Sequence, residues 1–491
     1  MKTLRFLTCL ATAGAWLSAA QAQSINPVWE YLINKLPSPL PVLTNAIPYV
    51  TDDENGDGKS LMDCIGPMRR YDANRLLLGI RENGIDETQA HNTNLANAYP
   101  DRSLIWINPT NGAPMGLALN MGLFPVPLDP NIAAAGGAPG SYYWSFDVSD
   151  DGSVYSGYKN QIIRYAPSGS GGISTNPAVV FTLDGNTATN NGVSVAQWTS
   201  FRWAHIRVRG SGASTKILAG GIGGRGVWLL TTTNGSSFTA GAHMNGAFGN
   251  AAGNISNVLP SQDPATPDDL WFFGGSYPGN SNGADSTFYR AKASPPFTDP
   301  ANVFVNDGAF SAQADPNTNA CSRYTANFSG SADAHPNFGF VVHYSTPAWN
   351  HSAVGGYRPG WLAIHDLTNG TFIAAHQLAV TEADELLTTD NTALFLGTVG
   401  SVSLNRLADG TAEILWTSEI YGYGRYYIDT APAANKLRHS LVGGALHLDW
   451  TAGLLQSADA VQGPYSDVAD ACPGYIYSGP ATKFFRLLLQ Q

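Results

Sequence analysis

Asp53, Asn55 and Asp57, in the stretch TDDENGDGKSLMD, place oxygen ligands at alternate positions, with Gly58 where a calcium-binding loop turns sharply. Asp52 and Glu54 add negative charge that a bound cation would offset. The pattern then departs from an EF-hand, whose twelfth position takes a bidentate carboxylate: here that position is Cys64, with Asp63 one residue earlier. Calcium on Asp53, Asn55 and Asp57 is the metal expectation, set against the plainer reading of an acidic, solvated loop. Asp333, His335, His343 and His351 make the densest histidine-bearing segment. In an extended strand Asp333 and His335 share a face, which suits two metal ligands or an acid–base pair. The plainer reading there is hydrogen-bonded structure.

Other chemical signals are weaker or negative. Gly221-Ile222-Gly223-Gly224-Arg225-Gly226 matches GxGxxG, but VWLLTTT follows it, β-branched and aromatic. A dinucleotide site needs a helix there, so the expectation is a tight bend and no nucleotide cofactor. The chain has no H-E-x-x-H, Walker loop or catalytic-cysteine context. Paired carboxylates contributed by separate repeats would leave no local motif, so an enzyme reading stays open. Tyr142, Tyr143, Trp198, Trp203, Tyr277, Trp349, Tyr357, Tyr421 and Tyr423 fall in expected loops, where aromatic faces stack on sugar rings. Most of the chain's Trp and Tyr are expected in core and inter-repeat packing.

The elements that must position these residues repeat. Trp144–Pro167 reads as strand, Asp-Asp-Gly turn, strand, Lys-Asn turn, strand; Asp151-Gly152 supplies the turn geometry of a tight hairpin. Similar units surround RLLLGIR and SLIWIN, then His205–Arg209 with Lys216–Gly220 and Gly226–Thr232. Further units hold DDLWFFG, then Phe338–Tyr344 with Gly360–His365, then Ala393–Leu396 with Ser401–Leu407 and Thr411–Thr417. Their anchors recur at uneven intervals, longer than the ~40–50 residues of WD40 or kelch repeats, which long inserted loops would explain. The fold class expected is all-β: a six- to seven-bladed β-propeller, with YGYGRYYID available to close a seventh blade, and a small C-terminal β-sandwich-like module. Two stacked β-sandwiches are the rival. Leu77, Trp271 and Leu394 are expected between blades, and the loops after Asn108, Tyr277 and Tyr344 on exposed faces.

Residues 1–22 read as a cleaved export signal: Lys2 and Arg5, an apolar run from Phe6 to Leu17, and Ala20-Gln21-Ala22. The run is shorter than the ~20 residues a membrane span needs. Residues 23–50 are expected to hold a helix over VWEYLINKL, started by Asn26-Pro27, and then an extended Pro-rich segment. Residues 51–430 would be the propeller and 437–491 the small module, with Trp450, Phe484 and Phe485 in its core. Removing Cys9 with the leader leaves Cys64, Cys321 and Cys472, enough for at most one internal disulfide. Charged residues are only 13% of the 491, and the net charge is −11, without basic clusters. That surface argues against nucleic acid and anionic membranes as partners.

The tail LDW…LLQSADAVQGPYSDV…YIYSGPATKFFRL resembles the small C-terminal β module of secreted proteins from environmental bacteria such as verrucomicrobia. Residues 69–430 resemble the broad class of secreted bacterial propellers. Both imply a secreted, periplasmic or cell-surface protein; neither implies an activity. Two functions follow from the residues: a non-catalytic binding or scaffold protein holding an extracellular glycan or protein at its loop face, or an extracellular polysaccharide hydrolase or lyase. What lines the propeller axis separates them.

Overall fold

Short strands broken by Asp-Gly, Asn-Gly and Ser-Gly turns can pair only with near neighbours, and hairpins follow. The computed structural model of the chain describes residues 24–32, 65–80, 103–121, 145–198, 201, 203–221, 226–244, 254–275, 288–314, 331–345, 361–378, 400–418 and 422–429. Toward the end it describes 437–442, 445–449, 454–468, 471, 475–477, 479 and 483–488. These residues are nearly all β, in antiparallel sheets. None of their helices is long and apolar enough to cross a membrane.

Sheet 1 runs Ile65–Arg70, Leu76–Ile80, Ser103–Ile107, Pro114–Asn120. Sheet 2 runs Phe146–Val148, Val154–Tyr158, Gln161–Pro167, Ile173–Thr182. Sheet 3 runs Trp203–Arg209, Lys216–Gly221, Val227–Thr231, Thr239–Met244. In sheet 4, Asn254–Ile255 and Leu259–Pro260 both pair with Leu270–Gly275, followed by Phe288–Ala293 and Val305–Asn306. Sheet 5 runs Ser331–Ala334, Phe340–Ser345, Trp361–Asp366, Phe372–Gln377. Sheet 6 runs Gly400–Arg406, Ala412–Ser418, Gly422–Asp429, and takes its fourth strand from the other end of the chain, Ser24–Leu32. The first strand of each sheet lies against that of the next, and the first strand of sheet 6 lies against that of sheet 1. The sheets therefore form a ring, and the stacked-sandwich rival is set aside.

Two expectations change here. The segment beginning Asn26-Pro27 is a strand, because Gly422–Asp429 offers an open edge in register from Ser24↔Asp429 to Leu32↔Gly422. Pro27 is tolerated because this strand is outermost, and the register shifts between Pro27 and Trp29. Trp29 then donates its indole N–H to the Pro109 carbonyl of sheet 1 at 2.9 Å. Tyr421–Asp429 does not close a further unit; Gly422–Asp429 is the third strand of sheet 6. After the glycine-rich stretch a strand follows, as expected, and Gly221 N–H donates to the Gly226 carbonyl at 2.9 Å; residues 222–225, where the bend was expected, lie outside the described residues.

Apolar layers separate successive sheets, and burial of this kind is the main favourable term in holding them together. Leu77, Phe146 and Ile163 pack between sheets 1 and 2, and Trp203 and Trp228 between sheets 2 and 3. Leu229 and Phe272 fill the next layer, Trp271 and Val341 the fourth, and Tyr344 and Trp416 the fifth. Leu77 and Trp271 sit where expected; Leu394 lies outside the described residues. The closure from sheet 6 to sheet 1 also carries buried ion pairs. Buried Glu413 is gripped by Arg70 and by Arg425, whose Nε is 2.6 Å away, and Arg425 Nη1 donates to the Pro109 carbonyl at 2.6 Å.

In an antiparallel sheet, first-to-second and third-to-fourth turns share one end. Those turns are tight: Tyr71–Arg75, Asn108–Ala113, Ser149–Ser153, Ser168–Gly172, Asp366–Thr371 and Leu407–Thr411 are each closed by backbone hydrogen bonds. The turn after Asn108 is thus at the opposite end from the connections that leave Gly275 and Ser345. In the tail, Arg438–Val442, Ala445–Asp449 and Tyr475–Tyr477 make one small sheet. Leu454–Ala458, Ser466–Asp467 and Phe484–Leu488 make another. Phe485 packs with Leu448 and Leu455, and Phe484 is half-buried; Trp450 lies outside the described residues.

Candidate functional site

Neighbouring first strands belong to different sheets and share no ladder, so their backbone N–H groups need acceptors from elsewhere. In sheet 2 the sequence Ser145-Phe146-Asp147 supplies them. Ile206 N–H donates to Ser145 Oγ at 3.0 Å and Val208 N–H to Asp147 Oδ2 at 2.8 Å. Sheet 5 repeats the device with Ser331-Ala332-Asp333: Val402 N–H donates to Ser331 Oγ at 3.1 Å and Leu404 N–H to Asp333 Oδ2 at 2.8 Å. The other carboxylate oxygens accept the following amides, Val148 at 3.0 Å and Ala334 at 2.9 Å.

Two arginines on first strands complete the cluster. Arg69 Nε lies 3.0 Å from Asp147 Oδ1, and its Nη1 donates to the Ser401 hydroxyl at 2.8 Å and the Met68 carbonyl at 2.9 Å. Arg207 Nε is 3.9 Å from Asp147, its Nη2 contacts Asp333, and its Nη1 donates to the Val402 carbonyl at 3.2 Å. All four side chains are buried, between 1% and 5% exposed. Two cations and two anions balance, and that pairing is what makes burial of charge tolerable.

The balance shows in the ionisation of each group. Burial works against the charge of Asp333, but Arg207 and the amides of Leu404 and Asn257 outweigh it and hold the carboxyl below its ordinary range. Burial likewise opposes the charge of Arg207, and Asp333 and Asp147 overcome it, raising its pKa. Arg69 is lowered to about 9 by burial and then by the Arg207 charge, against the pull of Asp147. It still carries its proton at neutral pH.

The expected partnership of Asp333 with His335 is not formed. Asp333 is committed to Arg207 and three amides, and no hydrogen bond joins it to His335. His335 follows the strand, half-buried; its Nδ1 accepts from Asn337 N–H at 3.2 Å, and burial followed by the Arg209 charge lowers its pKa. His343 is buried between sheets 4 and 5, stacked on Phe288 at 4.4 Å. His365, nearby, is pushed down to about 4 by burial and so is neutral. Among the described residues no group of three His, Cys, Asp or Glu side chains is placed to hold a metal ion. Asp53, Asn55, Asp57, His351 and all four cysteines lie outside the described residues, as do Tyr142, Tyr143, Tyr277, Trp349, Tyr357 and Tyr421. Trp198, Trp203 and Tyr423, expected in loops, are buried in the packing.

Asp147 and Arg207 carry no local motif and were not singled out by sequence reasoning. The signal was there in the alternation: Ser-x-Asp opens two of the repeats, and Arg207-Val208-Arg209 puts two cations, after His205, on one face of a strand whose other face is apolar. Away from the axis, a groove of about 500 Å³ lies on the outer strands of sheets 2 and 3, between Phe181, Thr187, Thr239 and Pro300. Its carboxylate, Asp184, is engaged by Thr187, whose N–H and hydroxyl donate at 2.8 and 2.6 Å.

No family model matches the chain, and no curated protein matches it. Among solved structures it is similar to a DUF4623 family protein from Bacteroides eggerthii, at 9% identity over 84% of each chain, with a TM-score of 0.41. It is similar to a gluconolactonase from Xanthomonas campestris, at 8% identity over 74% of this chain and 86% of that one, with a TM-score of 0.37. It is also similar to a Hadza microbial sialidase, at 10% identity over 74% of this chain and 65% of that one, with a TM-score of 0.40. At such low identity and TM-score neither activity nor site residues transfer from them.

Proposed function

We propose that the chain is an exported, non-catalytic binding or scaffold protein: a six-bladed propeller over 51–430, its ring closed by Ser24–Leu32, with a separate small β module over 437–491. Its ligand, an extracellular glycan or protein, docks at the end of the ring that carries the second-to-third-strand and sheet-to-sheet connections. The observation that supports this reading is the state of Asp147 and Asp333. Among the described residues, these two carboxylates converge on the axis, where a propeller hydrolase or lyase would place its acid and base. Both are buried, and each is paired to a guanidinium and bonded to backbone amides. A general acid or base must reach the substrate and exchange its proton, and neither group does.

The deciding experiment incubates the mature protein with a panel of neutral and acidic polysaccharides. Binding is followed by co-sedimentation, and turnover by new reducing ends and by the ultraviolet absorbance of unsaturated sugars. Retention without turnover is expected. Turnover that disappears in Asp147→Asn, with the variant still folded, would replace the binding reading with the enzymatic one. Cleavage of the leader after Ala22 and calcium on Asp53, Asn55 and Asp57 belong to the same proposal. Mass spectrometry of the exported protein checks the first, and a drop in melting temperature on adding chelator checks the second.

A further inference from the structure

The turn-bearing mouth of the ring axis gathers the last residues of three first strands, Arg70, Arg209 and Arg406, with Asp150 and His335 just beyond two others. Arg70 is spent on Glu413. Arg209 is not spent in this way. Its Nη2 donates to the Ala334 carbonyl at 3.2 Å, but its Nη1 is buried without an acceptor. A buried guanidinium N–H left unpaired is costly, and native structures rarely keep one without a reason. The residue after Ala334 is His335, whose Nδ1 is occupied as an acceptor from Asn337 N–H. The neutral ring then carries its proton on Nε2, a second donor at the same mouth.

We propose that this mouth binds a small oxyanion, a carboxylate or sulfate group, between Arg209 and His335. An oxyanion brings the acceptors that both donors need, and guanidinium with carboxylate or sulfate is the strong, charge-assisted form of that bond. Four charges act on the His335 ring, Arg209 and Arg406 against Asp333 and Asp150, and Arg209 is the largest of them. Asp150 is the internal competitor: it is exposed and its charge reaches Arg209, yet its carboxylate makes no ion pair with that guanidinium. The inference is independent of whether the opposite end of the ring binds or cleaves.

The test titrates the mature protein with sodium sulfate and, separately, with sodium acetate, each at ionic strength held constant with sodium chloride. The readouts are melting temperature and the pH titration of the His335 ring followed by NMR. A saturable rise in melting temperature is expected, with the His335 pKa moving upward because a bound anion favours imidazolium. The anion giving the larger shift identifies the group recognised. Arg209→Gln should weaken binding at least tenfold, a loss in keeping with removal of a charge-assisted bond. His335→Gln, at a half-buried position, should weaken it severalfold and serves if Arg209→Gln does not fold. No saturable shift with either anion, or an unchanged shift in a folded variant, overturns the site.

Discussion

Ser145-Phe146-Asp147 and Ser331-Ala332-Asp333 stand on opposite sides of the ring, in sheets 2 and 5, and do the same backbone work with different cations. In each, a hydroxyl and a carboxylate accept alternate N–H groups of the next sheet's first strand. Asp147 is paired to Arg69 of the preceding sheet, and Arg69 keeps Ser401 and the Met68 carbonyl besides. Asp333 is paired to Arg207, which belongs to sheet 3 and reaches past its own neighbour to sheet 5 and to Val402 of sheet 6. One device staples adjacent sheets; the other braces the ring across its axis.

The largest expected effect follows from that asymmetry. Asp333→Ala removes the close partner of Arg207 and the acceptor of three amides, so the variant should lose about 3–5 kcal/mol, as removal of one partner of a buried pair does. Asp147→Ala should lose less, about 1–3 kcal/mol, because Arg69 and Arg207 both retain other acceptors. Urea unfolding of both variants measures the difference. Equal losses, or a larger one at Asp147, would mean that Arg207 does not brace the ring.

Acid sharpens the comparison. Burial raises and Arg207 with the amides lowers the Asp333 pKa, and the net is depression below the ordinary value. A group of this kind stabilises the fold above its unfolded-state pKa, about 3.9, and loses that contribution as pH falls through the lower folded value. The stability gap between wild type and Asp333→Asn should therefore be full at pH 6 and shrink progressively below about pH 4. A gap that stays constant down to pH 2 would show that the charge of Asp333 contributes nothing beyond its shape.

These residues also mark the limit of what the chain discloses in one dimension. The repeat units were legible because hairpin turns are written locally: Asp151-Gly152, Asn369-Gly370 and Asp409-Gly410 all close turns, with each glycine at positive φ. Partners brought from afar were not. Val28–Leu36 has helical spacing, yet the preceding Asn26-Pro27 and the residues through Leu32 form a strand because a distant sheet needs an edge partner. The axial cluster was half visible. Asp333 drew notice for its neighbouring histidine, whereas its actual partner lies 126 positions away at Arg207. An ion pair across a ring has no sequence spacing, so only charges recurring in apolar first strands could have announced it.

The smallest expected effect is the one that should be equal on the two sides. Ser145 and Ser331 are both buried, and each hydroxyl accepts one N–H from the next first strand, Ile206 at 3.0 Å and Val402 at 3.1 Å. Neither hydroxyl touches an aspartate of the axial cluster. Replacing either by alanine leaves a single backbone N–H without its acceptor, which costs roughly 1–2 kcal/mol when the group is buried. Ser145→Ala and Ser331→Ala should therefore lose the same amount within experimental error. The double variant should lose the sum, since the sites sit on opposite sides of the ring and share no partner. A markedly larger loss at Ser331 would place the asymmetry in the strand packing of sheets 5 and 6. Equal losses would leave it with Arg207.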